Sequence, residues 1–104
     1  MKIKKSKSQK YLEKAGFHLE NTVQSERFPE RISDMYRSEC GRWTAVWCRN
    51  PISETYPNLF VFDSFILDYD YDSTAPMQGT CVMQVRIPES KISGVLAIIG
   101  IKSV

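Results

Sequence analysis

The most chemically distinctive stretch of this sequence is an alternation of aspartate and tyrosine at residues 68–72. In a strand, successive side chains point to opposite faces, so the aspartates share one face and the tyrosines share the other. Neighbouring carboxylates then lie about 6.6 Å apart, twice the rise of a strand residue. That spacing is close to the spacing of phosphates along a nucleic-acid strand. The pattern predicts a carboxylate ladder of Asp68, Asp70 and Asp72, backed by Tyr69 and Tyr71.

Three interpretations of this ladder are open. Exposed charges at the end of a strand protect it against pairing with other strands and need no further role. A metal site is disfavoured, because hard cations need converging oxygens and a straight ladder spreads them apart. A cationic partner would relieve the repulsion between the carboxylates, with the tyrosines as interface anchors. For a functional ladder we expect a partner-binding site with no metal, no cofactor and no catalytic residue, formed by Asp63, Asp68, Tyr69, Asp70, Tyr71 and Asp72.

Charge is unevenly distributed along the 104 residues, although the net charge is only +2. Residues 1–14 carry a net charge of +5, residues 15–49 are neutral and residues 50–104 carry −3. A lysine-rich segment can bind nucleic acid or another anionic surface. No aromatic platform or glycine-rich loop accompanies it, so a solvated helix face behind a basic lead-in at residues 1–7 is favoured.

Length and composition predict one α+β domain over residues 1–104. We expect a mainly antiparallel sheet of about four strands, with one or two N-terminal helices packed on one face. The first helix begins at Ser8 as its N-cap and ends before Gly16. A second helix begins at Pro29 and ends at Gly41, because apolar residues recur there at helical spacing. The alternative for the later part of this segment is the start of a hairpin at residues 34–42.

Alternating or continuous apolar runs predict the strands. The long third run needs a bulge or bend near residues 63–64. The last run, at residues 94–101, is expected to be a buried strand. The predicted strands cover residues 17–20, 42–49, 59–71, 80–87 and 94–101.

Two tryptophans, Trp43 and Trp47, lie four residues apart and therefore on one face of a strand. On a sheet of this size they are more often core residues than a ligand platform. Arg42 and Arg49 flank them and frame either the rim of the core or a binding surface.

Cysteine and histidine offer little chemistry. The three cysteines, Cys40, Cys48 and Cys81, lack the spacing of a zinc site and are expected to be buried free thiols. An approach between Cys40 and Cys48 stays open. His18 is the single histidine, and no nucleophile motif or phosphate-binding loop accompanies it, so enzymatic activity is unsupported.

The function class expected from these features is a non-enzymatic protein-binding module. A small, motif-poor domain with an acidic and aromatic patch is similar in type to bacterial immunity proteins, which cover the basic active site of a toxin such as a nuclease. One alternative is a small RNA-binding protein or ribonuclease toxin that uses the lysine-rich N-terminus and the arginines from Arg27 to Arg49. Another is a phage or plasmid accessory protein that binds a host factor. Without an apolar run that could span a bilayer or serve as a secretory signal, we expect a cytoplasmic protein with no membrane partner.

Overall fold

The chain forms an antiparallel sheet with helices before and after it. A computed structural model describes residues 4–51, 55–64 and 80–98. Five strands follow the first helix, and a short 3₁₀ turn leads into the second helix. In chain order the elements are α1 (Ser8–Lys14), β1 (Phe17–Gln24), β2 (Ile32–Ser38), β3 (Trp43–Cys48), β4 (Leu59–Asp63), β5 (Thr80–Val85), the 3₁₀ turn Glu89–Lys91 and α2 (Ile92–Ile98).

Each strand pairs antiparallel with its neighbour in the chain, in the order β1-β2-β3-β4-β5. One row of partners runs across the sheet through Tyr36, Ala45, Val61 and Met83. Such directly paired residues lie on the same face. The predicted α+β class is therefore confirmed, with five strands in the described part of the chain instead of about four.

The second N-terminal helix is wrong, because β2 occupies the segment in which it was predicted. The apolar spacing suits a helix, yet β1 and β3 supply hydrogen-bonding partners on both sides of β2. A segment paired on both edges satisfies its backbone as a strand, so tertiary context overrides the local pattern. Gly41 has a positive φ of 80°, and it lies in the β2–β3 hairpin loop instead of ending a helix. The hairpin alternative is the observed structure.

The predicted final strand is also wrong where it is described, because α2 covers Ile92–Ile98. A short apolar run does not distinguish a buried strand from a buried helix. Ile92 and Leu96 are fully buried and lie four residues apart, which places them on one helix face. Residues 99–101 of the predicted strand lie outside the described residues. The described helices therefore precede and follow the sheet, and only α1 is N-terminal.

Other boundaries differ from the predictions in smaller ways. Helix α1 ends before Gly16, which has a φ of 89°, but Lys7 takes the N-cap position instead of Ser8. Strand β1 continues past the predicted end through a register shift between Leu19 and Asn21. The second register shift lies between Val61 and Phe62, slightly before the predicted bend. Irregular pairing adds twist at both sheet edges.

One core joins the sheet to both helices. The buried residues of α1 and α2 belong to the same cluster as Tyr36, Ala45 and Val61. The two helices also contact each other, and α1 contacts β1. Neither helix in residues 4–51, 55–64 and 80–98 has the length and apolar content required to cross a membrane. The remaining buried apolar members of the cluster are Leu12, Ala15, Phe17, Trp47, Leu59, Ile92 and Leu96.

The packing of α2 can be tested by truncating its buried face. We expect Leu96→Ala to lower the free energy of unfolding by about 3 kcal/mol, because it leaves a cavity between helix and sheet. The control is Ile98→Ala on the same helix, where the side chain is 83% exposed and the loss should stay below about 0.5 kcal/mol. Urea unfolding measures both, and equal losses would contradict this packing.

Candidate functional site

The Asp/Tyr ladder lies outside the described residues, so its facing and exposure stay predictions. This applies to the five members Asp68, Tyr69, Asp70, Tyr71 and Asp72. Strand β4 supplies the first part of the long predicted strand, and Ser64 follows it in a turn. The Ser64 hydroxyl donates a hydrogen bond of 2.7 Å to the Arg42 carbonyl, which attaches this turn to the start of β3. The chain thus leaves the sheet at a fixed point before it reaches the ladder.

Asp63, the sixth predicted site residue, ends β4 with its side chain only 2% exposed. Arg42 donates two hydrogen bonds to it, from Nε to Oδ1 at 3.0 Å and from Nη2 to Oδ2 at 2.8 Å. The hydrogen bond to Asp63 raises the pKa of Arg42. The same guanidinium lies 4.5 Å from the centre of the Trp43 ring, a cation–π distance. Asp63 is therefore an anchoring residue at the end of β4, and its carboxylate faces Arg42.

A second buried carboxylate, Asp34 on β2, is paired in the same way. Its side chain is 1% exposed, and Arg49 donates to it from Nε and Nη2 at 2.8 and 2.9 Å. Thr22 on β1 adds a hydroxyl hydrogen bond of 2.8 Å. The hydrogen bond to Asp34 raises the pKa of Arg49, whose Nη1 also reaches the Lys4 carbonyl at 2.6 Å. This network joins two strands, the end of β3 and the N-terminal segment.

The two pairs lie at opposite ends of β3. Asp34 is the register partner of Trp47, whereas Asp63 is the register partner of Trp43. The apolar row through Ala45 lies between them. Trp47 is buried and Trp43 packs against the core, which confirms the core interpretation of both tryptophans. The flanking arginines are residues of the core rim.

Sequence reasoning noted the two arginines but missed their partners. The available signal was the polar residue that each apolar alternation contains, Asp34 in β2 and Asp63 at the end of β4. A buried carboxylate needs a cation or several donors. Without the strand register, nothing in the sequence assigned either aspartate to a particular arginine.

A buried hydroxyl lies beside the Asp34 network. Tyr36 is fully buried, and its hydroxyl completes no hydrogen bond among the described residues, although it lies near Ser8 at the start of α1. Ser8 instead shares a hydrogen bond of 2.7 Å with the Ser6 hydroxyl. Burial raises the pKa of Tyr36, because the ionised form would lose its hydration.

All three cysteines are free thiols, but one prediction about them is wrong, because Cys40 is exposed. A hydrogen bond with the Ser38 hydroxyl is the main cause that lowers the pKa of Cys40. Cys48 is partly buried, and burial raises its pKa. Cys81 is also partly buried. The exposure follows from the hairpin loop, because Cys40 lies in the turn between β2 and β3.

The remaining candidate chemistry is at the surface. His18 is exposed and pairs with Glu39 at 3.2 Å, and Arg37 pairs with Glu20 at 2.8 Å. Within the described ranges, no group of three or more His, Cys, Asp or Glu side chains is placed to hold a metal ion. No protein-family model, curated protein or solved structure gives a significant match to this chain.

We expect Asp34→Ala to lower the free energy of unfolding by about 3–5 kcal/mol, because it leaves the Arg49 guanidinium without its carboxylate. Urea unfolding at neutral pH measures the loss. The control Glu20→Ala breaks an exposed pair and should cost less than about 1 kcal/mol. If Asp34→Ala does not fold, Thr22→Val removes one hydrogen bond of the same network and should cost about 1 kcal/mol. No loss in either Asp34→Ala or Thr22→Val would contradict the network.

Tyr36→Phe removes a buried hydroxyl that has no partner in the described structure, so stability at pH 7 should change by less than about 1 kcal/mol. The raised pKa means that the folded state favours the neutral phenol. Wild-type stability should therefore fall as the pH rises above the ordinary tyrosine value of 10.0, and the variant should lose less. Urea unfolding at pH 7 and pH 10.5 tests both statements. A large loss at pH 7 would mean that the hydroxyl is bonded.

Proposed function

We propose that this chain is a non-enzymatic protein-binding module of the bacterial immunity type, acting in the cytoplasm. Its partner is a toxin whose basic active site the Asp/Tyr ladder covers. A nuclease is the candidate of matching chemistry, because a site that binds phosphates is cationic and a row of carboxylates can occupy it.

The observation that carries this proposal is the anchored end of β4. Strand β4 is paired on both sides, by β3 and β5, and ends at the buried Asp63–Arg42 pair. The ladder begins at Asp68, five residues further along the chain. Recognition groups near a rigid element lose less conformational entropy on binding than groups on an unattached segment.

Charge distribution also supports a cationic partner. Residues 50–104 contain six acidic and three basic residues, and three of the acidic residues are in the ladder. Alternating tyrosines supply large, rigid contact surfaces of the kind that dominate binding energy at interfaces. The buried Asp63 holds the approach to the ladder, and direct contacts are assigned to the ladder itself.

A host-factor-binding accessory protein would use the same chemistry with a different partner. The two are separated by the partner's identity, so the test uses defined candidates. The reading frames that flank this gene in its native genome are co-expressed with it one at a time. Rescue of cell growth from a flanking toxin supports the immunity proposal, whereas binding to a non-toxic host protein supports the accessory role.

With such a toxin, Asp70→Lys combined with Asp72→Lys should weaken binding about 100-fold, because two attractive charges become repulsive. Isothermal titration calorimetry measures the dissociation constant, and circular dichroism checks the fold. The matched control is Glu26→Lys with Glu30→Lys, two exposed residues in the β1–β2 loop with the same change of charge. Equal affinity of wild type and ladder variant would reject the ladder as the interface.

A further inference from the structure

Two open clefts meet at Glu89, at the end of the sheet that carries the Asp34–Arg49 pair. The first, of about 380 Å³, lies between α1 and the 3₁₀ turn and includes Lys7 and Lys10. The second, of about 400 Å³, lies at the ends of β3 and β5 and includes Arg49 and Arg86. Glu89 lines both clefts and is the one carboxylate among their described lining residues.

Distant parts of the sequence assemble this basic surface. Helix α1 contacts the 3₁₀ turn, which brings the lysine-rich segment beside residues 89–91. The hydrogen bond from Arg49 to the Lys4 carbonyl holds the same segment at the end of β3. Asn58 bridges the beginning of β4 to Ile87, with its amide donating to the Ile87 carbonyl at 2.7 Å and accepting from the Ile87 N–H at 3.0 Å. The cations are thus carried by a braced framework.

The lysines provide the free charge of this surface. Neither Lys7 nor Lys10 belongs to an ion pair among the described residues. Lys10 lies 5.3 Å from the centre of the Tyr11 ring, which leaves its charge uncompensated. Arg49 is largely neutralised by Asp34 and contributes remaining N–H donors more than net charge.

We propose that these joined clefts bind the phosphate backbone of a single-stranded nucleic acid. Phosphates match a surface in which lysines dominate and base-stacking platforms are few. A single strand can pass from one cleft to the next around Glu89, whereas a duplex is too wide to enter clefts of this volume. This site is separate from the ladder, so the toxin-binding proposal does not depend on it.

Other polyanions fit the surface less well. Membrane-binding surfaces add exposed apolar side chains to their lysines, but none of the exposed large hydrophobic residues in the described chain lines these two clefts. Protein interfaces are depleted in lysine and enriched in exposed aromatic residues. Their recognition chemistry therefore differs from that of these clefts.

The test is fluorescence anisotropy with a labelled 12-nucleotide oligouridine between 50 and 200 mM salt. We expect binding that weakens steeply with salt, because bound phosphates release counterions. Lys7→Gln with Lys10→Gln should raise the dissociation constant about tenfold at 100 mM salt and reduce the log–log salt slope by about 2. Thermal unfolding confirms that the variant retains its fold.

The matched control is Lys14→Gln with Arg37→Gln, which removes the same charge from outside the clefts. It should change the dissociation constant less than about twofold. Three results would overturn the proposal: no oligouridine binding at 50 mM salt, an equal loss in the control, or tighter binding to vesicles of anionic lipid than to oligouridine. Full displacement of the oligouridine by inorganic phosphate at constant ionic strength would reassign the clefts to small anions and would also overturn it.

Discussion

Two buried carboxylates constrain this fold. Asp34 and Asp63 lie inside the sheet, and a buried charge is tolerated only when a partner and hydrogen bonds replace its hydration. Each therefore needs an arginine in bidentate contact, and the two arginines stand directly before and after β3. Because Arg42 and Arg49 are fixed to the ends of one strand, they determine where β2 and β4 lie against it. A shift of register by one residue would move both aspartates to the other face.

The two pairs also divide the surface into functional ends. At the Asp63 end, the chain leaves β4 toward the acidic ladder. At the Asp34 end, the N-terminal lysines are held against the ends of β3 and β5 through the contact between Arg49 and Lys4. The charge separation in the sequence thus has a structural counterpart on the basic side, because residues 4–10 and residues 86–89 meet there.

Local sequence patterns predicted part of this architecture. Helix α1, strand β3 and strand β5 were found because capping, glycine and alternation signals agree with their tertiary surroundings. Strand β2 was predicted as a helix because apolar residues at Ile32, Met35 and Tyr36 fit either period. Helix α2 was predicted as a strand because its apolar run is too short to separate the two states. Of the site, the anchored Asp63 was named, but its burial and its pairing with Arg42 depend on strand register.

The sequence by itself determined the composition of a small α+β domain, the segregation of its charges, and the free state of three cysteines with no shared spacing. These properties depend on residue type and neighbours in the chain. Only the tertiary structure decided which aspartates are buried, which arginines neutralise them, and which distant cations share a cleft with Glu89. Those outcomes depend on contacts between residues about 15 to 80 positions apart, which no local pattern encodes, because strand pairing selects them through the hydrogen bonds of the whole sheet.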